Sequence, residues 1–263
     1  MIKQSRIYRR LFLNAVSYEA EYRADTWLHM FSNALWLGMM AIIIEVIYAH
    51  TPAIAGWEKH EVYLLTLLWV IVDEIFTMFV KYNMWNIPDT ITDGKLDMYL
   101  TRPVGSLFLI STHTFVMRSL YRLLLLHIPV LTWIITRFHI EVRPVYIVAA
   151  ILVIVCAVII RYSVSLIINT LSFWFLRIDN INDAWEALNT MGKYPLDVFP
   201  KSIRIITLTL IPIAFDGWVS ASLLIGHWPW YILLYTLFFT ILLFSIARRF
   251  WYSALKRYSS ASS

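Results

Sequence analysis

The segment MWNIPDTITDGKLDMYLTRPV, residues 84–104, separates two long apolar runs and contains no candidate membrane span of its own. Pro88 and Asp89 open it, Gly94 punctuates it, and Arg102-Pro103 closes it. Leu96, Tyr99 and Leu100 fall at i, i+3 and i+4, which predicts one apolar stripe on a short helix. Asp93 or Thr92 is placed to cap that helix, and Pro103 biases Arg102 away from helical geometry and ends it. A short amphipathic helix at the water side of a membrane protein needs a surface to dock on, and a soluble subunit is the expected one.

The membrane setting follows from composition. Of 263 residues, 60% are hydrophobic and 15% charged, with mean hydropathy +0.66. Soluble domains run at about 45–50% apolar and about 25% charged. Several apolar runs reach the roughly 20 residues that a helix needs to cross a bilayer. The chain is therefore expected to be an all-α polytopic membrane protein. Aromatics make up 16%, with 12 Trp and 15 Tyr, and many fall near the ends of the apolar runs, where interfacial belts form. A net charge of +5 could point to nucleic acid in a soluble protein. Here the basic residues gather at the two ends of the chain and act as a topology signal, so no nucleic-acid partner is expected. Cys156, the single cysteine, lies inside an apolar run and reads as a small buried apolar residue with no internal disulfide.

Taken in order, residues 3–24 predict an amphipathic interface helix. Ile7, Tyr8, Leu11, Ala15, Tyr18 and Tyr22 keep helical spacing, and Lys3, Arg6, Arg9 and Arg10 carry charge. Such a helix lies in the membrane interface with its cations near anionic headgroups, as a plain anchor or beside a cytosolic partner. The first apolar run begins only after Asp25, so no cleavable signal peptide is expected. Spans are expected at 27–48, 61–82, 107–136, 145–168 and 230–247. The third is longer than a bilayer requires, so it extends into water or tilts.

The fifth span has two placements. Hydropathy favours 203–220, built on IRIITLTLIPIAF (residues 203–215). The alternative, 174–195, carries Asp179, Asp183, Glu186 and Lys193, which are costly against lipid. In that case Asp183, Glu186, Thr190 and Lys193 share a helical face and could line an interior path. Residues 196–228 then form a half-buried outer hairpin interrupted at Pro212. Lys3, Arg6, Arg9, Arg10 and Arg23 precede the first span, Arg248, Arg249, Lys256 and Arg257 follow the last, and the first loop has only Lys59. The excess of basic residues places both termini in the cytoplasm, which requires an even number of spans, six, and a cytoplasmic 84–104.

Charges inside the spans need partners. Asp73 and Glu74 sit in the second span, Arg118 and Arg122 share a face of the third, and Arg161 lies deep in the fourth. A charge at the bilayer centre costs at least about 2.5–3.5 kcal/mol on insertion scales. The plain reading is interhelical pairing of Asp73 or Glu74 with Arg118, Arg122 or Arg161. The functional reading is a polar pathway or gating surface that also includes Asp183 and Glu186. A proton relay is disfavoured by the rough balance of acids and bases.

Catalytic motifs are missing. No glycines precede Gly94-Lys95 at P-loop spacing, so no nucleotide is expected on this chain. No HExxH, CxxC or GxSxG occurs, and the 7 His are scattered, so neither a metal site nor a catalytic set is expected.

Gly94, Leu96, Asp97, Leu100, Arg102, Pro103 and Val104 spell G-x-L-D-x-x-L-x-R-P-V. Further along stand Phe173-Trp174, Tyr194-Pro195-Leu196, Pro200, Arg204, Ile211-Pro212 and Ala214-Phe215, and the chain closes on Arg257-Tyr258-Ser259-Ser260-Ala261-Ser262. On these residues the chain resembles the ABC-type-2 permeases, in the branch of ABC-2 family transporter proteins. The resemblance implies six transmembrane helices, an N-terminal interface helix and a cytosolic coupling helix between spans two and three. It also implies an outer hairpin at 196–228 and a fifth span at 174–195. Such permeases work in pairs, as heterodimers or homodimers, on two soluble ATPase subunits that bind ATP and Mg. The bacterial inner membrane is the implied location, and an amphipathic or hydrophobic cargo is expected. The coupling set implied is Gly94, Leu96, Asp97, Tyr99, Leu100, Arg102 and Pro103, with the apolar members against the ATPase and Asp97 or Arg102 in charge-assisted bonds. A stand-alone secondary transporter or channel using the intramembrane charges is the alternative.

Overall fold

The computed structural model describes residues 12–13, 15–17, 23–140, 143–175, 178–226 and 230–258. Most of the expected interface helix at 3–24, and the closing Ser259–Ser262, lie outside the described residues.

Helix α1 (Arg23–Tyr48) is apolar along its length yet almost unburied by the rest of the chain, with Trp27, Leu28 and Phe31 all exposed. A helix that is apolar all round and uncovered is suited to lipid or to another membrane chain. It ends at a hairpin of two short strands, β1 (Ala53–Ile54) and β2 (Trp57–Glu58), paired antiparallel with Ile54 opposite Trp57. The two-residue turn, Ala55-Gly56, has φ of 51° and 87°, the left-handed pair that a tight hairpin requires. A capping box between Glu58 and Glu61 then starts α2 (Lys59–Thr92).

Helix α2 is the axis of the molecule. It is 34 residues long, about 50 Å at 1.5 Å per residue, so it outruns the roughly 30 Å hydrocarbon core and stands well into water. The helix therefore continues past the expected span end at 82 and takes in the first half of the 84–104 segment. Its interior residues Leu64, Leu65, Val72 and Phe76 are fully buried. Gly94, at φ 69°, supplies the left-handed turn that closes it. Helix α3 (Leu96–Leu100) follows, then α4 (Ser106–Ser111).

The expected continuous span 107–136 is broken. After α4 the chain is irregular through 112–116, and α5 (Met117–Arg137) begins anew. The side chain of Asn83 replaces the missing helical bonds there. Its Nδ2 donates to the Thr114 carbonyl at 2.8 Å, its Oδ1 accepts from the Thr114 amide at 2.8 Å, and the Val116 amide donates to the Met78 carbonyl at 3.1 Å. The run Ser111-Thr112-His113-Thr114 invites this, because short polar side chains compete with the helical ladder. Pro144 then sits in the first turn of α6 (Pro144–Thr170), where its missing N–H costs nothing.

Helices α7 (Asp179–Asn189), α8 (Lys201–Thr209), α9 (Trp218–Leu224) and α10 (Tyr231–Leu255) complete the chain. Five helices are long and apolar enough to cross a membrane, or six if the α8 pair with Ile213–Leu224, bent by 88°, counts as one. The protein is thus an all-α polytopic membrane protein. α7 is too short and polar to be among those five, but from Glu186 onward the chain climbs α2 in order. Asn182 meets Asn169 at the end of α6, Glu186 meets Lys81, and the Asn189 carbonyl accepts from Trp69 Nε1. The Lys193 carbonyl then accepts from Thr66, and Asp197 accepts from Trp57. Residues 186–193 therefore run antiparallel to α2 from Lys81 to Thr66. The segment after the α8 bend returns inward: a Cβ on Gly217 would lie 2.9 Å from the Leu65 carbonyl, so only glycine lets it approach α2 so closely.

Candidate functional site

Four elements converge on Arg161, which α6 carries into the middle of the bundle at 1% exposure. Its Nη2 lies 3.0 Å from Asp73 of α2 and 3.8 Å from Glu186 of α7, and its Nε is 3.7 Å from Asp216, in the turn before α9. The guanidinium also lies over the Phe76 ring, 4.5 Å from its centroid. Glu186 takes a second cation, Lys81, at 3.2 Å. Asp216 is wholly buried, and neither of its carboxylate oxygens accepts a hydrogen bond among the described residues, so charge attraction alone holds it. The cluster is open at one side: Asp73, Lys81 and Glu186 keep a fifth to a third of their side-chain surface accessible.

A neighbouring pair is more conventional. Arg122 makes a two-pronged contact with Glu74, at 2.7 Å and 2.9 Å, and a third bond to Ser119. Both flanks are π-helical turns, Thr77–Lys81 in α2 and Leu123–His127 in α5. Consecutive acids on α2 thus serve different helices, Asp73 turning to α6 and Glu74 to α5. Arg118 goes elsewhere, to Asp25 at the foot of α1 at 2.8 Å, and that pair is half-exposed. Asp183 is exposed, Thr190 lies past the end of α7, and Lys193 rests on the rings of Trp36 and Tyr194. Only Glu186 of the four-residue face enters the cluster, because the helix gives way to a tighter turn after Asn189.

The coupling element is arranged differently from its expected stripe. Leu96 has no exposure and belongs to a buried apolar group drawn from α2, α6 and α10, with Met84, Leu166 and Trp251 among its members. It therefore serves as a foot set into the bundle and does not face outward. Tyr99 packs partly against the same group, edge-on to His113. What α3 leaves accessible is Met98 and Leu100, at 57% and 41%, with Arg102 and Pro103 exposed just beyond. The expected cap is also different. Asp93 forms an exposed ion pair with Lys95 at 2.6 Å, and the residue at the N-cap is Lys95 itself. That pair raises the Lys95 ammonium above its ordinary range, chiefly through the hydrogen bond to Asp93.

Sequence reasoning missed Asp216, Lys81 and Asp197. Asp197 accepts from the indoles of Trp57 and Trp218, each at 2.7 Å, and pairs with Arg204 at 2.8 Å. It thereby ties the β hairpin, the turn before α8, α8 and α9 together. No local pattern marks these residues, since their partners lie far away in sequence. Among the described residues, no group of three or more His, Cys, Asp or Glu is placed to hold a metal ion.

The family model described as ABC-2 family transporter protein matches residues 34–262. No curated protein matches the chain. With nearly the whole length matched, the chain belongs to the ABC-2 family transporter proteins and is a permease component of an ABC transporter.

Proposed function

We propose that this permease couples ATP hydrolysis on separate ATPase subunits to export of a hydrophobic or amphipathic substrate. Two soluble ATPases and a second permease, identical or related, complete the machine, in a bacterial inner membrane with both termini cytoplasmic. ATP and its Mg ion are bound by the ATPases. In this reading α3 is the coupling helix. Met98 and Leu100 enter an ATPase groove, while Gly94 and Pro103 bound the helix and Asp97 or Arg102 supplies a charge-assisted bond.

One observation carries the reading. Phe76 belongs to the apolar group that holds Leu96, and its ring also lies under the Arg161 guanidinium. Leu96 and the Arg161 cluster are thus joined by one continuous buried apolar group, along which a rigid push on α3 reaches the elements that carry the cluster. ATP can bias such a machine only if its two states differ in contacts. The half-open Arg161 cluster is the element assigned the two arrangements, and Asp73, Lys81 and Glu186 are the groups that meet polar parts of the cargo. The ordered contacts of 186–193 along α2 support counting that polar segment as the fifth crossing, with 201–224 as an outer re-entrant hairpin. Its charges are then covered by protein, which removes the cost of exposing them to lipid.

The test is a pull-down of the tagged chain in mild detergent followed by transport in liposomes. An ATPase at one copy per permease, lost in Leu100→Asp with the permease still folded, is the expected result. Full ATPase binding and ATP-driven transport by Leu100→Asp overturn the coupling role. The accessible charges on the Arg161 cluster favour one rival, a stand-alone ion-driven transporter. Flux from an ion gradient with no ATPase present would establish it.

A further inference from the structure

We propose that α10 carries a site for an anionic membrane phospholipid, with the lipid phosphate held by Arg248, Arg249 and Lys256. These cations line a groove of about 450 Å³ with Ser245, Tyr252 and Ser253. The six positions recur every three to four residues, so they form one stripe on the helix surface. None of the three cations has a carboxylate within ion-pair distance among the described residues. Arg248 leans over the Tyr252 ring, 5.8 Å from its centroid.

The same stripe continues upward as Leu234, Phe238 and Ile241, exposed by 53%, 63% and 67%. The opposite side of α10 packs inward through Thr236, Thr240, Ala247 and Trp251. The uncovered face is thus apolar along the span and cationic where the apolar run ends, at headgroup depth. An acidic protein segment would match the cations and leave the apolar track bare. A phospholipid matches both, with an acyl chain on Leu234, Phe238 and Ile241 and a phosphate at the arginines.

The experiment is native mass spectrometry of the delipidated full chain in neutral detergent, titrated with phosphatidylglycerol and, separately, phosphatidylcholine. Each basic residue near an anionic surface is worth about a fivefold gain, so three give roughly 100-fold in favour of phosphatidylglycerol at one copy per chain. Lys256→Gln, which leaves Arg248-Arg249 at the span end, is expected to lower the preference about fivefold. Adding Arg248→Gln and Arg249→Gln abolishes it. Equal retention of the two lipids overturns the site, as does a preference that survives the triple change. Displacement of the lipid by an equal concentration of glycerol phosphate would show a phosphate site that ignores the membrane and overturns the lipid assignment. Disulfide formation between two chains through Ser245→Cys would show the face covered by protein, with the same consequence.

Discussion

At the foot of the bundle, Leu96 sits in a buried apolar group with Met84, Leu166 and Trp251; further up α2, Arg161 is held by Asp73, Glu186 and Asp216. Both join α2 and α6 to something that must move with them, and Phe76, a member of the same apolar group as Leu96, also lies under Arg161. They differ in how they fail. Apolar packing is a sum of many small terms, so it weakens in steps as atoms are removed. The ion cluster is a balance between desolvation and attraction, and taking away one member strands the rest. A machine that transmits force through its foot and changes state at its centre would use the two kinds of contact in those places.

The sharpest way to break the comparison is Arg161→Met. It leaves the buried Asp216 without a cation and the half-buried Asp73 and Glu186 with only Lys81 nearby, and a loss of about 3–5 kcal/mol is expected. The chain should then lose its folded peak in heated size-exclusion runs. Combining it with Asp73→Asn and Asp216→Asn, which keeps the Glu186–Lys81 pair, should restore most of the loss, because the charges that remain are paired. Failure of that rescue would mean that packing, not charge, holds the site.

Leu96→Ala is expected to cost about 2–4 kcal/mol, through a cavity at the foot. Its signature is uncoupling: ATPase binding retained through Met98 and Leu100, with transport per ATP reduced. A fall in ATPase binding equal to that of Leu100→Asp would place Leu96 at the partner surface instead. Asn182→Ala should cost about 1–3 kcal/mol, since it leaves the buried Asn169 amide without its reciprocal bond. A thermal-shift comparison with Asn169→Ala measures whether the two act as one unit. The smallest effect belongs to Arg118→Gln, below about 1 kcal/mol, because the pair with Asp25 is half-exposed. A large loss there would make the foot of α1 a third anchoring point.

Much of this architecture is readable along the chain. The apolar runs announce the long helices, Gly94 marks the end of α2, and the charges at 73, 74, 122 and 161 announce that spans must pair. Of the alternatives open for Asp73 and Glu74, the structure takes Arg161 and Arg122, and Arg118 pairs with Asp25, which lies just before the first apolar run and carries no sequence signal of a partner. The break at 112–116 is also hard to see, since Asn83, which stabilises it, is 31 residues away from Thr114. The inward turn of Leu96 was missed for a related reason: its spacing with Tyr99 and Leu100 defines a stripe but not which side the stripe faces.

The amino-acid sequence by itself determined the membrane class, the long spans and the existence of a short helix after Gly94, because hydropathy and backbone preference act over a few turns. Only the tertiary structure decided which acid meets which arginine, that Asp216 comes from beyond the α8 bend to join them, and that 186–193 climbs α2. Those outcomes depend on partners separated by tens to more than a hundred residues. Their energy comes from shielding charges inside a shared interior that no single segment can form alone.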